Sequence, residues 1–133
     1  MAMKILFGPN HPKPILDIAL ALKPPGFDLV IHDNGTPGFY RAAEDAEFYL
    51  GATRSLDAKF FAAAKKMRLV QLISAGFDRA DVAAAKKAGI PIANNGGANA
   101  IAVSEHTLML ILDRKSTRLN SSHIQKSRMP SSA

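Results

Sequence analysis

The sequence predicts an α/β fold: a flavodoxin-like parallel sheet of about five strands, in the order 2-1-3-4-5, with helices on both faces. Three observations carry this. Short apolar runs alternate with helix-like segments along residues 4–112. The runs are almost continuously apolar rather than alternating, as in strands covered on both faces. Glycine, proline and Asn-Gly punctuation separates nearly every pair of segments.

Residues 4–8 (KILFG) read as a buried first strand ended by Gly-Pro. Pro12 and Pro14 start a helix through Leu22, with a broad apolar face of Ile15, Leu16, Ile18, Ala19 and Leu22. Pro24-Pro25-Gly26 stops it, and residues 27–32 (FDLVIH) form the second strand. Asp33-Asn34-Gly35 is turn chemistry. Residues 36–45 are compatible with either a short helix or a loop. Residues 47–50 (EFYL) give the third strand, closed by Gly51. Ser55 is placed as the N-cap of a helix over 56–67, with Asp57 favourable in its first turn. Residues 69–73 (LVQLI) are the fourth strand. Asp78 is placed as the cap of a helix over 79–88, with Gly89 as its stop. Residues 90–93 form a short strand, and Pro91 puts it at an edge. Asn99 begins a last helix to Leu112, striped by Ile101, Leu108 and Leu112.

Chain length allows one domain with a real core. Charge is unevenly placed. Of the net +6, residues 1–112 carry +2 and residues 113–133 carry +4, so the globular part is nearly neutral and gives no reason to expect nucleic acid as a partner. Absence of cysteine removes disulfides and thiolate metal sites and suits a reducing compartment. No long apolar leader and no bilayer-length run occurs, so the expected location is cytoplasmic, without membrane association.

In a parallel sheet, ligands sit outside the carboxyl ends of the strands, which draws attention to the loops at Gly8-Pro9-Asn10, Gly51-Ala52-Thr53 and Ser74-Ala75-Gly76. The last has small side chains, which let successive backbone N–H groups point outward as a nest for a carboxylate. On spacing alone it reads first as an ordinary strand-to-helix turn, with glycine for backbone geometry and Asp78 as the helix cap. Asn94-Asn95-Gly96-Gly97-Ala98-Asn99 likewise reads as a loop and helix cap. His11 and His32 have no partner at metal-ligand spacing and are expected at the surface; no metal site is expected. No Gly-x-Gly-x-x-Gly occurs, so no Rossmann-type phosphate turn is present.

The stretch 69–112, with Ser74-Ala75-Gly76-Phe77-Asp78, the Gly-Gly-Ala-Asn of 96–99 and Val103-Ser104-Glu105-His106-Thr107, resembles the D-isomer-specific 2-hydroxyacid dehydrogenases. It matches the point where their substrate domain hands over to the dinucleotide domain. The resemblance implies an NAD- or NADP-dependent oxidoreductase that interconverts a small 2-hydroxy acid and a 2-oxo acid, homodimeric at full length. It gives Ala75 and Gly76 the substrate carboxylate, with Ser74 and Phe77 shaping the pocket. Asn99 lies near substrate and cofactor, the paired glycines provide a hinge, and Val103 and Thr107 touch the nicotinamide. Ser104 stands where alanine is commoner. His106 is structural, because the family's catalytic histidine comes late in the chain, beyond the dinucleotide domain, and the arginine and glutamate that act with it are likewise missing here. No catalytic residue is therefore expected in this chain, which reads as an inactive fragment.

On this reading residues 1–97 are the substrate-binding domain, 98–112 an interdomain helix and 113–133 a disordered basic tail. Back-translated, residues 113–123 and 127–133 spell two in-frame segments of a common sequencing-library adapter, so the tail is expected to be foreign. The alternative function is a non-enzymatic flavodoxin-like binding module. A receiver would place an acidic cluster after the first strand, where Gly8-Pro9-Asn10 stands instead. A nucleic-acid binder would rest on the tail alone.

Overall fold

A computed structural model describes residues 2–8 and 12–126, with residues 114–126 as backbone only. Five strands, β1 (Met3–Gly8), β2 (Phe27–Ile31), β3 (Phe48–Gly51), β4 (Leu69–Leu72) and β5 (Ile92–Ala93), form one sheet in the order β2-β1-β3-β4-β5. Every pairing is parallel. The helices between them are α1 (Lys13–Ala21), α2 (Pro37–Ala43), α3 (Ala58–Ala63) and α4 (Val82–Ala88), followed by α5 (Ala100–Lys126). Two compact units result, Met1–Gly96 and Gly97–Ala133.

Register builds the core of the first unit. Leu6, Tyr49 and Val70 lie side by side across β1, β3 and β4, and all three are buried. Above them Phe39 of α2 stacks on Phe60 of α3 at 5.3 Å between ring centroids, and Tyr49 meets both rings edge-on at 5.9 and 5.6 Å. Leu56, Phe61, Ala64, Met67, Leu72, Ala85 and Ile90 complete this layer. α2 packs on α3 and α3 on α4. Right-handed crossovers put α1 on the opposite face, since β1 to β2 runs one way across the sheet and β2 to β3 the other.

Residues 36–45, open between helix and loop, contain α2. Thr36 caps it, its Oγ1 accepting from Phe39 N at 3.2 Å, with Pro37 in the first turn. Both predicted caps move. Ser55 is not the cap of α3: it takes a left-handed φ of 63°, and Asp57 caps instead, accepting from Phe60 N at 2.9 Å. Asp78 is not the cap of α4: Ala80 N bonds Phe77 O to close a turn there, and Asp81 caps, accepting from Ala84 N at 2.8 Å. Gly89 ends α4 in the left-handed conformation, as its position predicts. α1 buries no residue, and its predicted apolar face is largely wet, with Ile15, Ile18 and Leu22 all exposed.

The second unit corrects the tail. The helix expected to end at Leu112 continues to Lys126, so residues 113–126 are helical rather than disordered. Between Gly97 and Pro130 there is no glycine or proline to interrupt helical hydrogen bonding, and lysine, arginine, leucine and glutamine favour it. Residues 127–133 lie outside the described residues, as does His11. Among the described residues no helix is long and apolar enough to cross a membrane.

Candidate functional site

The crevice between β1 and β3, where strand order reverses, is built on glycine. Gly8 and Gly51 face one another across the two strand ends. A Cβ on Gly8 would come within 2.7 Å of the Tyr49 hydroxyl, and one on Gly51 within 2.6 Å. The space they leave holds that hydroxyl, which donates to Ala52 O at 2.7 Å and accepts from Asn34 Nδ2 at 3.0 Å. Asn34 Nδ2 also reaches Arg54 O at 2.5 Å. Burial pushes the Tyr49 phenol up to about 12, with the Asn34 donor opposing the shift. Tyr49 is thus a neutral pier that fixes the Gly51-Ala52-Thr53 loop, and its proton is not available for chemistry near neutral pH.

The loop after β4 has an unusual hydrogen-bond balance. Its carbonyls are all taken. Asn95 Nδ2 approaches Ile73 O at 3.5 Å and Asn95 N donates to Ser74 O at 3.0 Å. Asn94 Nδ2 donates to Ala75 O at 2.8 Å, Ser74 Oγ to Gly76 O at 3.1 Å, and Ala80 N to Phe77 O at 2.9 Å. The N–H groups of Ala75, Gly76 and Phe77 have no acceptor among the described residues. Residues 74–77 are exposed. An exposed loop whose acceptors are satisfied internally and whose donors are unpaired is complementary to an anion.

Asn94 and Asn95 are the residues that sequence reasoning missed as site residues. The available signal was topological: in a parallel sheet the loop after β5 must lie beside the loop after β4. Asp78 opposes the site, since its Oδ2 lies 3.7 Å from where a Cβ on Gly76 would stand. Beside the loop, Phe77, Val82, Ile92 and Asn94 line an open hollow of about 290 Å³.

The other predicted site residues fall in the second unit. Asn99 O accepts from Val103 N at 2.9 Å at the start of α5. Thr107 Oγ1 donates to Val103 O at 2.7 Å, one turn on. Val103 and Thr107 therefore share one helix face, while Ser104 donates to Ala100 O at 2.7 Å and His106 is exposed. His32 is half-buried rather than at the surface, held against Gly38. Among the described residues no three of His, Cys, Asp or Glu converge as metal ligands. These groups do not amount to a dinucleotide site either. Val103 and Thr107 offer a ring one small face, and Thr107 has its hydroxyl proton committed to the helix.

A family model described as the D-isomer-specific 2-hydroxyacid dehydrogenase catalytic domain matches residues 14–130. The chain belongs to this family. Its fold is that of the solved dehydrogenases. The apo D-mandelate dehydrogenase of Rhodotorula graminis aligns with a TM-score of 0.69 at 22% identity, covering 98% of this chain and 42% of that one. The NAD-bound formate dehydrogenase of Staphylococcus aureus gives 0.67 at 20%, over 90% and 41%. The NAD+-bound 3-phosphoglycerate dehydrogenase of Entamoeba histolytica gives 0.65 at 21%, over 84% and 38%. This dehydrogenase-family chain thus spans well under half of those chains. A search of curated protein sequences gave no match.

Proposed function

We propose that the flavodoxin-like unit Met1–Gly96 is the carboxylate-holding part of an NAD(P)-dependent oxidoreductase that interconverts a 2-hydroxy acid and a 2-oxo acid. The observation that carries this is the donor-only loop at Ala75, Gly76 and Phe77, in a chain of this family. The carboxylate accepts from these N–H groups, and Ser74 holds the loop shape through Gly76 O. Asn99 approaches the substrate, and Val103 and Thr107 face the nicotinamide. On this reading the dinucleotide is held by further chain, since these residues span only 38% and 41% of two NAD-bound relatives. The whole enzyme is a cytoplasmic homodimer, and these 133 residues alone do not turn over substrate.

Amide NMR of the chain titrated with pyruvate tests the reading. The Ala75, Gly76 and Phe77 resonances shift saturably, and chloride at equal ionic strength leaves them in place. Unmoved amides at millimolar pyruvate refute the carboxylate assignment. NAD-dependent turnover by this polypeptide refutes its inactivity.

A further inference from the structure

We infer that the substrate's side chain is apolar and uncharged, larger than a methyl group, and lies in the hollow beside the carboxylate loop. The inference rests on the carboxylate reading above and adds the substrate class. Phe77 belongs to both features: its N–H is one of the free donors, and its ring lines the hollow. Asn94 joins them from the other side, tying down Ala75 O at 2.8 Å while lining the same hollow. An acid held by its carboxylate at Ala75–Phe77 therefore projects the rest of its carbon chain past the Phe77 ring.

Of the four described residues that line it, three are apolar, and two of these are conspicuously wet. Phe77 is 50% exposed and Val82 48%, and Ile92 is half-buried beside them. Large apolar side chains clustered at a concave surface, next to polar groups that fix orientation, are the usual composition of a small-molecule pocket. A volume of about 290 Å³ is far more than a methyl group fills.

Charge separates the candidate acids further. Among the described residues no charged side chain lines the hollow; Asp78, Arg79 and Asp81 lie nearby in sequence but none is a lining residue. Asp78 sits against Gly76, and Asp81 begins α4 immediately before Val82. A second carboxylate or a phosphate on the substrate would enter a mainly apolar lining and gain no counter-charge from the described residues. A branched aliphatic or aromatic side chain meets no such penalty and covers Phe77, Val82 and Ile92.

The test compares 4-methyl-2-oxopentanoate, pyruvate and 2-oxoglutarate on the 133-residue chain, following the 75–77 amides and the Val82 and Ile92 methyl groups by NMR. The branched acid is expected to bind roughly tenfold more tightly than pyruvate, the gain for a few partly covered carbons. It alone should move the methyl resonances, and 2-oxoglutarate should bind no better than pyruvate. Val82→Ser, at an exposed position, should erase most of the preference of the branched acid over pyruvate. If the amides move but the branched acid and pyruvate bind equally, or 2-oxoglutarate binds best, the side-chain inference falls and the carboxylate reading stands. If no acid moves the amides, the carboxylate reading falls and takes the inference with it.

Discussion

Asn94 and Asp78 act on the same three N–H groups in opposite directions. Asn94 occupies the Ala75 carbonyl, which would otherwise turn toward solvent and present a partial negative charge to the ligand. Asn94→Ala leaves that carbonyl free, and carboxylate affinity should fall about fivefold, the worth of one neutral hydrogen bond in ordering the loop. Since the bond is exposed, the melting temperature should hardly move, so calorimetric titration and a thermal melt together separate loop ordering from folding. Asp78 places a carboxylate beside Gly76. Asp78→Asn removes a like charge and should strengthen binding a few-fold at low ionic strength, with the gain fading by about 0.5 M salt. Equal affinity for wild type and both variants would mean the ligand carboxylate is held elsewhere.

At the scale of elements, the strands were legible because their apolar runs are short, dense and bounded by glycine or proline. The helix starts were less so. Ser55 and Asp78 have good capping chemistry but sit two to three residues early, because local sequence does not reveal that Ser55 adopts φ 63° or that a turn at Phe77–Ala80 precedes α4. Asp57 and Asp81 were equally available and differ only in where the preceding loop leaves them. Asp81→Ala should therefore destabilise the unit by about 1 kcal/mol, while Asp78→Ala leaves its stability unchanged. Urea melts of the two variants read the difference, and the reverse order would restore the earlier helix start. The site was legible to the same degree. Small residues after β4 marked the loop, but the donor-only balance depends on Asn94 and Asn95, some twenty residues away and recruited by strand order. The α1 face misled because amphipathic spacing shows that a helix can be covered, not that something covers it.

For the molecule as a whole, two features set how it behaves in solution. The first is Tyr49, buried at the centre of the aromatic cluster. Its phenol rises from an ordinary 10.0 to about 12 on folding, so the neutral form is the one that the fold favours. The corresponding stability is fully present below pH 10 and is lost as pH rises toward 12, on the order of 2–3 kcal/mol. Tyr49→Phe should cost about 1 kcal/mol at pH 7 through the lost bond to Ala52 O, yet flatten the alkaline limb. A denaturation series from pH 8 to 12 that shows the same slope in both proteins would dissociate the limb from Tyr49. The second feature is α5. Leu108, Met109, Leu110, Ile111 and Leu112 are consecutive, and each is at least half exposed, as are Ile101 and Val103. At 100° per residue, five consecutive positions point all round the helix, so one neighbouring surface cannot cover them. A helix apolar on every side is stable when it is surrounded. Relatives of this fold are more than twice as long, which gives the segment further chain to pack against in a whole enzyme. In the 133-residue chain the same residues meet water, and further copies of the chain are what remains to surround them. The chain should therefore bind a hydrophobic dye and sediment as a concentration-dependent oligomer, and Leu108→Lys with Leu112→Lys should suppress both while leaving the 75–77 amide resonances in place. A monomer free of dye binding at tens of micromolar would mean that α5 is already covered within a single chain.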